Sequence, residues 1–246
     1  MEKVLVITPT IGADELLEAC VSVAKQTYPE TYHLVVVDGA DYEDKTNLVL
    51  DKIKDITEGY NFFKCVLPFN TGQRGYYGHR IYSGFSHLTD FEYIIFLDQD
   101  NWFEPNHVEE MVRTIQRNNY DWCYGLRKLY SKDGQYICDD NCESLGEWPC
   151  LALEKELHHI DTNCYCFTNK FIRGCGSLWD YGYAADQMFY RTVVGRLGSK
   201  NFGCSGKYTI NYRLDCNKES SRSSVYMIGN EKMKEKYGGT YPWNKD

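Results

Sequence analysis

Four short apolar runs alternate with helical stripes along the first half of this chain, and each leads into a polar residue. Val4–Ile7 ends in Thr8-Pro9-Thr10 and Leu34–Val37 in Asp38-Gly39. Phe62–Leu67 runs towards Asn70, and Tyr93–Leu97 stops at Asp98. Such runs read as buried strands. Between the first two, Leu16, Leu17, Cys20, Val21 and Ala24 keep helical spacing after Asp14. Val49, Ile53 and Ile56 then share one face of a second helix. A glycine-rich loop, Asn70–Gly78, enters a helix near Tyr82 and Phe85. Glu104-Pro105 opens another, marked by Val108, Met111, Val112 and Ile115. This alternation predicts an α/β fold: a mostly parallel central sheet flanked by helices, with a small antiparallel part to follow. Open sheets of this type bind ligands beyond the carboxyl ends of their strands. Thr8, Asp38, Asn70 and Asp98 all fall at or just past such ends.

After Asn118 the pattern changes. Trp122–Tyr130, an Asp133-Gly134 turn and Tyr136–Cys138 predict an antiparallel hairpin. A strand at Tyr165–Phe167 and a helix over Asp186 to Val194 follow a loop-rich stretch. The segment from Asn217 to Asp246 is polar and poorly periodic, and is expected to wrap the surface. With no repeat or linker, the 246 residues read as one domain in three parts: 1–118, 119–216 and a tail, 217–246. A net charge of -8 argues against nucleic acid as a partner, yet leaves room for one nucleotide whose phosphates are neutralised by a metal. No stretch approaches the roughly 18 to 20 apolar residues of a membrane span. No basic segment with an apolar signal core opens the chain, so a cytoplasmic location is expected. The 11 cysteines are odd in number and form no pair of CxxC knuckles, so reduced thiols are expected.

Asp98-Gln99-Asp100 is the strongest local signal. Two carboxylates spaced i, i+2 beyond a buried strand can turn towards one hard cation such as Mg²⁺ or Mn²⁺. Asp38 can cap its turn, or accept hydrogen bonds from a base edge or a ribose. Gly72, Gly75 and Gly78 follow a strand and precede a helix, but the spacing is GxxGxxG with Arg74 and Arg80 interleaved. That departs from the dinucleotide fingerprint while still suiting close approach to a diphosphate.

The sequence resembles the family-2-type glycosyltransferases of the GT-A fold, the nucleotide-diphospho-sugar transferase architecture. The elements that carry the resemblance are Val6–Thr10, Val35–Gly39, the Asn70 to Arg80 segment, Tyr93–Asn101, Asp161-Thr162-Asn163 and Asp186-Gln187. The resemblance makes 1–118 the nucleotide-sugar-binding half and 119–216 the acceptor and catalytic half. It implies that Pro9 and Thr10 with Asp38 hold base and ribose, and that Thr8, Asn70, Gly72, Arg74, Arg80 and Gln99 lie by the donor. Asp98 would contact ribose or metal, Asp100 would ligate Mn²⁺ or Mg²⁺, and Asp186 would be the base of an inverting transfer. The implied donor is a nucleoside-diphosphate sugar carrying a hexose or pentose. The implied acceptor is a glycan, glycoprotein or lipid-linked hydroxyl, in glycan or polysaccharide synthesis. Two departures stand out. The second acid of the usual pair beside Asp186 is missing, and no histidine follows His159, leaving His158-His159 as the nearest imidazoles for a metal. Trp102, Trp148, Trp179 and Tyr183 offer a sugar platform or simply packing. The competing readings are a sugar nucleotidyltransferase, which wants a basic glycine loop after the first strand, and a catalytically silent sugar- or nucleotide-binding module on the same fold.

Overall fold

The computed structural model describes residues 1–54, 57, 60, 62–149, 157–214 and 223–244. Its strands β1 (Val4–Thr10), β2 (Thr31–Val37), β3 (Phe62–Val66) and β4 (Tyr93–Phe96) lie side by side and parallel, in the order β3-β2-β1-β4. Residues alternate across a strand, and β1, β2 and β4 are covered on both faces, which explains why those runs are apolar. The edge strand β3 departs from the buried strand expected: Lys64 and Phe63, the latter 49% exposed, face solvent. In β2, Leu34 and Val36 enter the main core. Val35 faces the other way, into a second cluster with Leu16, Cys20, Val49, Leu50 and Ile53 of the helices α1 (Leu16–Ala24) and α2 (Glu43–Lys54). Ile56, expected on the same face, lies outside the described residues. Pairing Thr10 with Val37, and Ile7 with Phe96, brings the strand ends together, so Asp38 and Asp98 emerge on one edge.

The sheet continues beyond β4 with mixed polarity. β8 (Tyr165–Thr168) pairs antiparallel with both β4 and β6 (Trp122–Tyr130). β9 (Phe202–Arg213) runs parallel to β6, and β5 (Trp102–Phe103) caps β9. The expected hairpin forms between β6 and β7 (Tyr136–Asp139), with Gly134 at φ +76° in its turn. The chain is thus α/β, with α3 (His79–Leu88), α4 (His107–Asn118), α5 (Asn169–Cys175) and α6 (Ala185–Tyr190) packed around the sheet. α6 passes into a π-helical turn, Arg191–Arg196. Among the described residues, Cys20, Cys65, Cys123, Cys138, Cys164, Cys166 and Cys175 carry free thiols. No helix among the described residues is long and apolar enough to cross a membrane.

The described part of the tail departs from the expectation of irregular structure. Ser223–Tyr237 is a helix, α7. Its buried residues, Tyr226, Gly229 and Met233, are spaced i, i+3, i+7 on one face. A glycine within that stripe, with Met227 and Ile228 exposed, hides the period. Beyond α7, the fully buried Trp243 donates from Nε1 to Asn141 Oδ1 at 3.0 Å.

One buried cation ties this second half together. Arg127 of β6 donates from Nε to Asp140 Oδ2 at 2.7 Å, from Nη1 to Asp161 Oδ2 at 2.9 Å, and from Nη2 to Glu143. Nη2 also reaches the Tyr226 hydroxyl of α7 at 3.2 Å, and the guanidinium lies 4.4 Å from the centre of the Tyr212 ring. Burial opposes ionisation of Asp140, but Arg127 and the amides of Cys142 and Ser144 hold its carboxyl below the usual range. Removing the cation would leave three carboxylates without their partner. Arg127→Leu should therefore cost about 3–5 kcal/mol of stability, measured by urea unfolding. A loss under about 1 kcal/mol, the scale of a surface pair, would mean that the node does not organise this half.

Candidate active site

A cleft of about 640 Å³ opens along the carboxyl edge of the parallel strands. Its floor carries Asp98, Gln99 and Asp100, one wall carries Pro9, Thr10, Asp38, Asn70 and Gly72, and the far wall carries His159, Asp161 and Asp186.

The carboxylate of Asp38 is buried and pins the glycine loop. Oδ1 accepts from the Thr71 amide at 2.7 Å and the Thr71 hydroxyl at 2.8 Å, and Oδ2 from the Gly72 amide at 2.9 Å. A carboxylate has about four acceptor positions, so one remains for a ligand. The loop demands glycine at 72, since a Cβ there would lie 2.2 Å from the Tyr77 carbonyl oxygen and 2.9 Å from Asp38 Oδ2. Asn70 beside it has a buried side-chain oxygen with no hydrogen-bond partner.

Asp98 is fixed from two sides. Oδ1 accepts from the Tyr82 hydroxyl at 2.8 Å and Oδ2 from Asn163 Nδ2 at 2.9 Å, while its amide donates to Asn163 Oδ1 at 2.6 Å. Burial and the nearby charge of Asp161 raise its pKa despite these bonds. Gln99 turns away to tether the loop after β1, accepting from the Thr10 hydroxyl at 2.7 Å and the Ile11 amide at 3.1 Å. Burial, then the charge of Asp98, pushes the Asp100 carboxyl up to about 7. Arg213, at the end of β9, comes close but spends itself elsewhere. It donates to the Asp100 backbone oxygen at 3.2 Å, the Lys132 carbonyl at 2.9 Å and Glu18. A hard divalent cation would meet Asp98 and Asp100 here, an oxygen-donor set that suits it. Among the described residues no group of three His, Cys, Asp or Glu converges on one metal position.

Asp186 also lines the cleft, from the first turn of α6. The helix starts at Ala184, held at φ +63°, so the N-cap position falls there and not on Asp186. Oδ1 of Asp186 accepts from the Gln187 amide at 2.7 Å, and burial raises the pKa of the carboxyl.

Three expected donor contacts lie elsewhere. Thr8 is fully buried, its hydroxyl 2.8 Å from His33 Nε2, beneath the cleft and not in it. Arg80 turns outward to Asp180 at 3.1 Å and stacks over Tyr76, and neither it nor Arg74, at φ +62°, lines the cleft. Of the aromatic candidates only Tyr183 reaches the cleft. Trp179 is fully buried against Phe189, Trp148 packs on Trp243, and Trp102 lies under Arg213. His158 Nδ1 sits 2.8 Å from the Gly146 carbonyl, while His159 faces Asp186. The sequence reading missed Arg127, Asn163, Arg213 and Tyr82 as site-building residues. A lone arginine within the apolar WCYGL-R-KLY strand was the available signal.

A parallel sheet with two aspartates and a glycine loop at one edge, extended by an antiparallel part carrying a third aspartate, defines a GT-A type fold. Family comparison narrows this. The model of glycosyl transferase family 2 matches residues 5–138, and the chain belongs to that family. Among curated proteins, an uncharacterized protein of Haemophilus influenzae is 28% identical over 108 residues, 36% of this chain and 70% of that one. Among solved structures, S. aureus TarS 1-349 superposes with a TM-score of 0.61 at 17% identity, covering 86% of this chain and 60% of that one. The same protein in complex with UDP-GlcNAc gives 0.62 at 18% identity, covering 90% and 60%. The chain thus spans 60% of the length of these solved neighbours, and the likeness is one of fold.

The raised Asp100 carboxyl has a thermodynamic sign. A carboxyl whose folded pKa lies near 7, against 3.8 for its ordinary value, opposes folding once pH exceeds the lower figure. Asp100→Asn should therefore stabilise the ligand-free protein at pH 8. The gain is expected on the order of 1–3 kcal/mol, or a few degrees in thermal midpoint. An unchanged or lower midpoint would refute charge strain at this position.

Proposed function

We propose that this chain is a metal-dependent glycosyltransferase that moves a hexosyl or pentosyl group from a nucleoside-diphosphate sugar to an acceptor hydroxyl, with inversion. The observation that carries this reading is that Asp98, Asp100 and Asp186 line one cleft. The adjacent pair after β4 suits the leaving diphosphate, and the carboxylate of α6 suits a base. The solved neighbour in complex with UDP-GlcNAc supports a nucleotide-sugar donor. Glycans, whether free, protein-linked or lipid-linked, are the proposed acceptors, which assigns the chain to glycan synthesis.

The residues divide the work as follows. Pro9 and Thr10 border the space for base and ribose, and the remaining lone pair of Asp38 and the unpartnered Asn70 oxygen offer acceptors to their N–H and O–H groups. Gly72 lets the loop backbone approach the donor. Asp98 and Asp100 would hold Mn²⁺ or Mg²⁺, which supplies positive charge to stabilise the departing nucleoside diphosphate. The Asp186 Oδ2 takes the acceptor hydroxyl proton as that oxygen bonds to the anomeric carbon. The bond from that carbon to the diphosphate breaks, and its electron pair leaves with the diphosphate. Burial makes Asp186 a stronger base than a surface carboxylate, which favours proton transfer.

The test is release of nucleoside diphosphate from a panel of sugar nucleotides with Mn²⁺, where slow donor hydrolysis is expected from at least one donor. Asp186→Asn should lower turnover by about 10²-fold or more with donor affinity nearly intact. Asp100→Ala should lose both turnover and metal-dependent nucleotide affinity. Nucleotide binding without release from any donor would point to a silent module, and normal turnover in Asp186→Asn would move the base elsewhere.

A further inference from the structure

His159 is a buried residue, 4% exposed, on the cleft wall that carries Asp186. Its Nε2 lies 4.0 Å from Asp186 Oδ2, and its Nδ1 is buried with no hydrogen-bond partner. An N–H at Nδ1 would be buried without an acceptor, so the ring's N–H is best used at Nε2, pointing at the carboxylate. Asp186 is arranged to match. Its Oδ1 is occupied by the Gln187 amide, while Oδ2 is the oxygen 4.0 Å from His159 Nε2, and the residue lines the cleft.

We propose that His159 is the positioning partner of Asp186, fixing its free oxygen for the acceptor hydroxyl. This inference rests on the reading of Asp186 as base. At 4.0 Å the pair is beyond hydrogen-bond range, as catalytic contacts often are before substrate binds. The proton balance is simple: the acceptor hydroxyl proton ends on Asp186, and His159 keeps its own. With its Nε2–H on Oδ2, His159 favours the ionised carboxylate before transfer and limits how the carboxylate can rotate.

The other groups facing Asp186 do not duplicate this role. Asp161 opposes ionisation, but its own charge is already engaged by Arg127 and Asn163. His79, at the start of α3, favours ionisation more weakly than His159, and its Nδ1 lies 3.0 Å from the Tyr181 carbonyl. Tyr165 of β8 is fully buried beside the carboxylate, its hydroxyl unpartnered.

The decisive measurement follows the carboxyl carbon of Asp186 by NMR through a pH titration, and it needs neither donor nor acceptor. His159→Phe removes the N–H, and His159→Asn withdraws it with less risk to folding. Each should raise the Asp186 midpoint by roughly one pH unit, while His159→Gln, which keeps an N–H within reach, should stay near wild type. An unchanged midpoint in His159→Asn would overturn the proposal. On the enzyme, the same variants should lower donor hydrolysis at pH 6 by about tenfold and move the acid limb of the profile upward with the midpoint. Donor KM should not change. In an Asp186→Asn background, replacing His159 should cost nothing further, and a full additional loss would show that His159 acts independently. Normal turnover in Asp186→Asn alone would instead remove the base assignment, a result distinct from a failed titration.

Discussion

The joint between the parallel and mixed parts of the sheet depends on one amide side chain. Asn163 donates to Asp98 and to Asp161, each at 2.9 Å, and accepts from the Asp98 amide at 2.6 Å. It is fully buried, so each of these bonds forms away from competing water. Through Asp161 the chain of contacts reaches Arg127, then Asp140, Glu143 and Tyr226. The end of β4, the entry to β8, the centre of β6 and the last helix are thereby held in one polar network. A network of this kind stabilises only when every member is satisfied, and that requirement fixes how the far wall of the cleft stands against its floor.

The network also decides the electrostatics of the cleft. Arg127 and Arg213 are the cations nearest the floor, and both are spent on protein acceptors. Asp98, Asp100 and Asp186 are left with charges that burial disfavours. Such a site is poised to gain from any cation it binds, and it gives a buried carboxylate the basicity that proton abstraction needs.

Much of the fold was legible because strand and helix periods follow directly from burial. Each two-faced apolar run became a strand, and the register of β1 with β2 and β4 put Asp38 and Asp98 on one edge. Asp98, Asp100 and Asp186 were separated by up to 88 positions yet line one cleft. What periodicity could not reveal was how each polar atom is occupied. Thr8 stands one residue short of the cleft and gives its hydroxyl to His33. Arg80 finds Asp180 a hundred positions away. Arg127 stands alone in an apolar strand, but its partners come from three distant segments that periodicity does not link. The helix α7 escaped notice because it buries only one narrow stripe.

That helix bears on the order in which the protein matures. Tyr226 reaches Arg127 across 99 positions and borders the cleft, so this wall closes through a long-range contact. Contacts of such sequence separation form late, after the chain entropy between them has been overcome. A nascent chain can fold the parallel sheet while its later residues are still being made. The cleft wall that Tyr226 borders has to wait for residues translated 99 positions after Arg127.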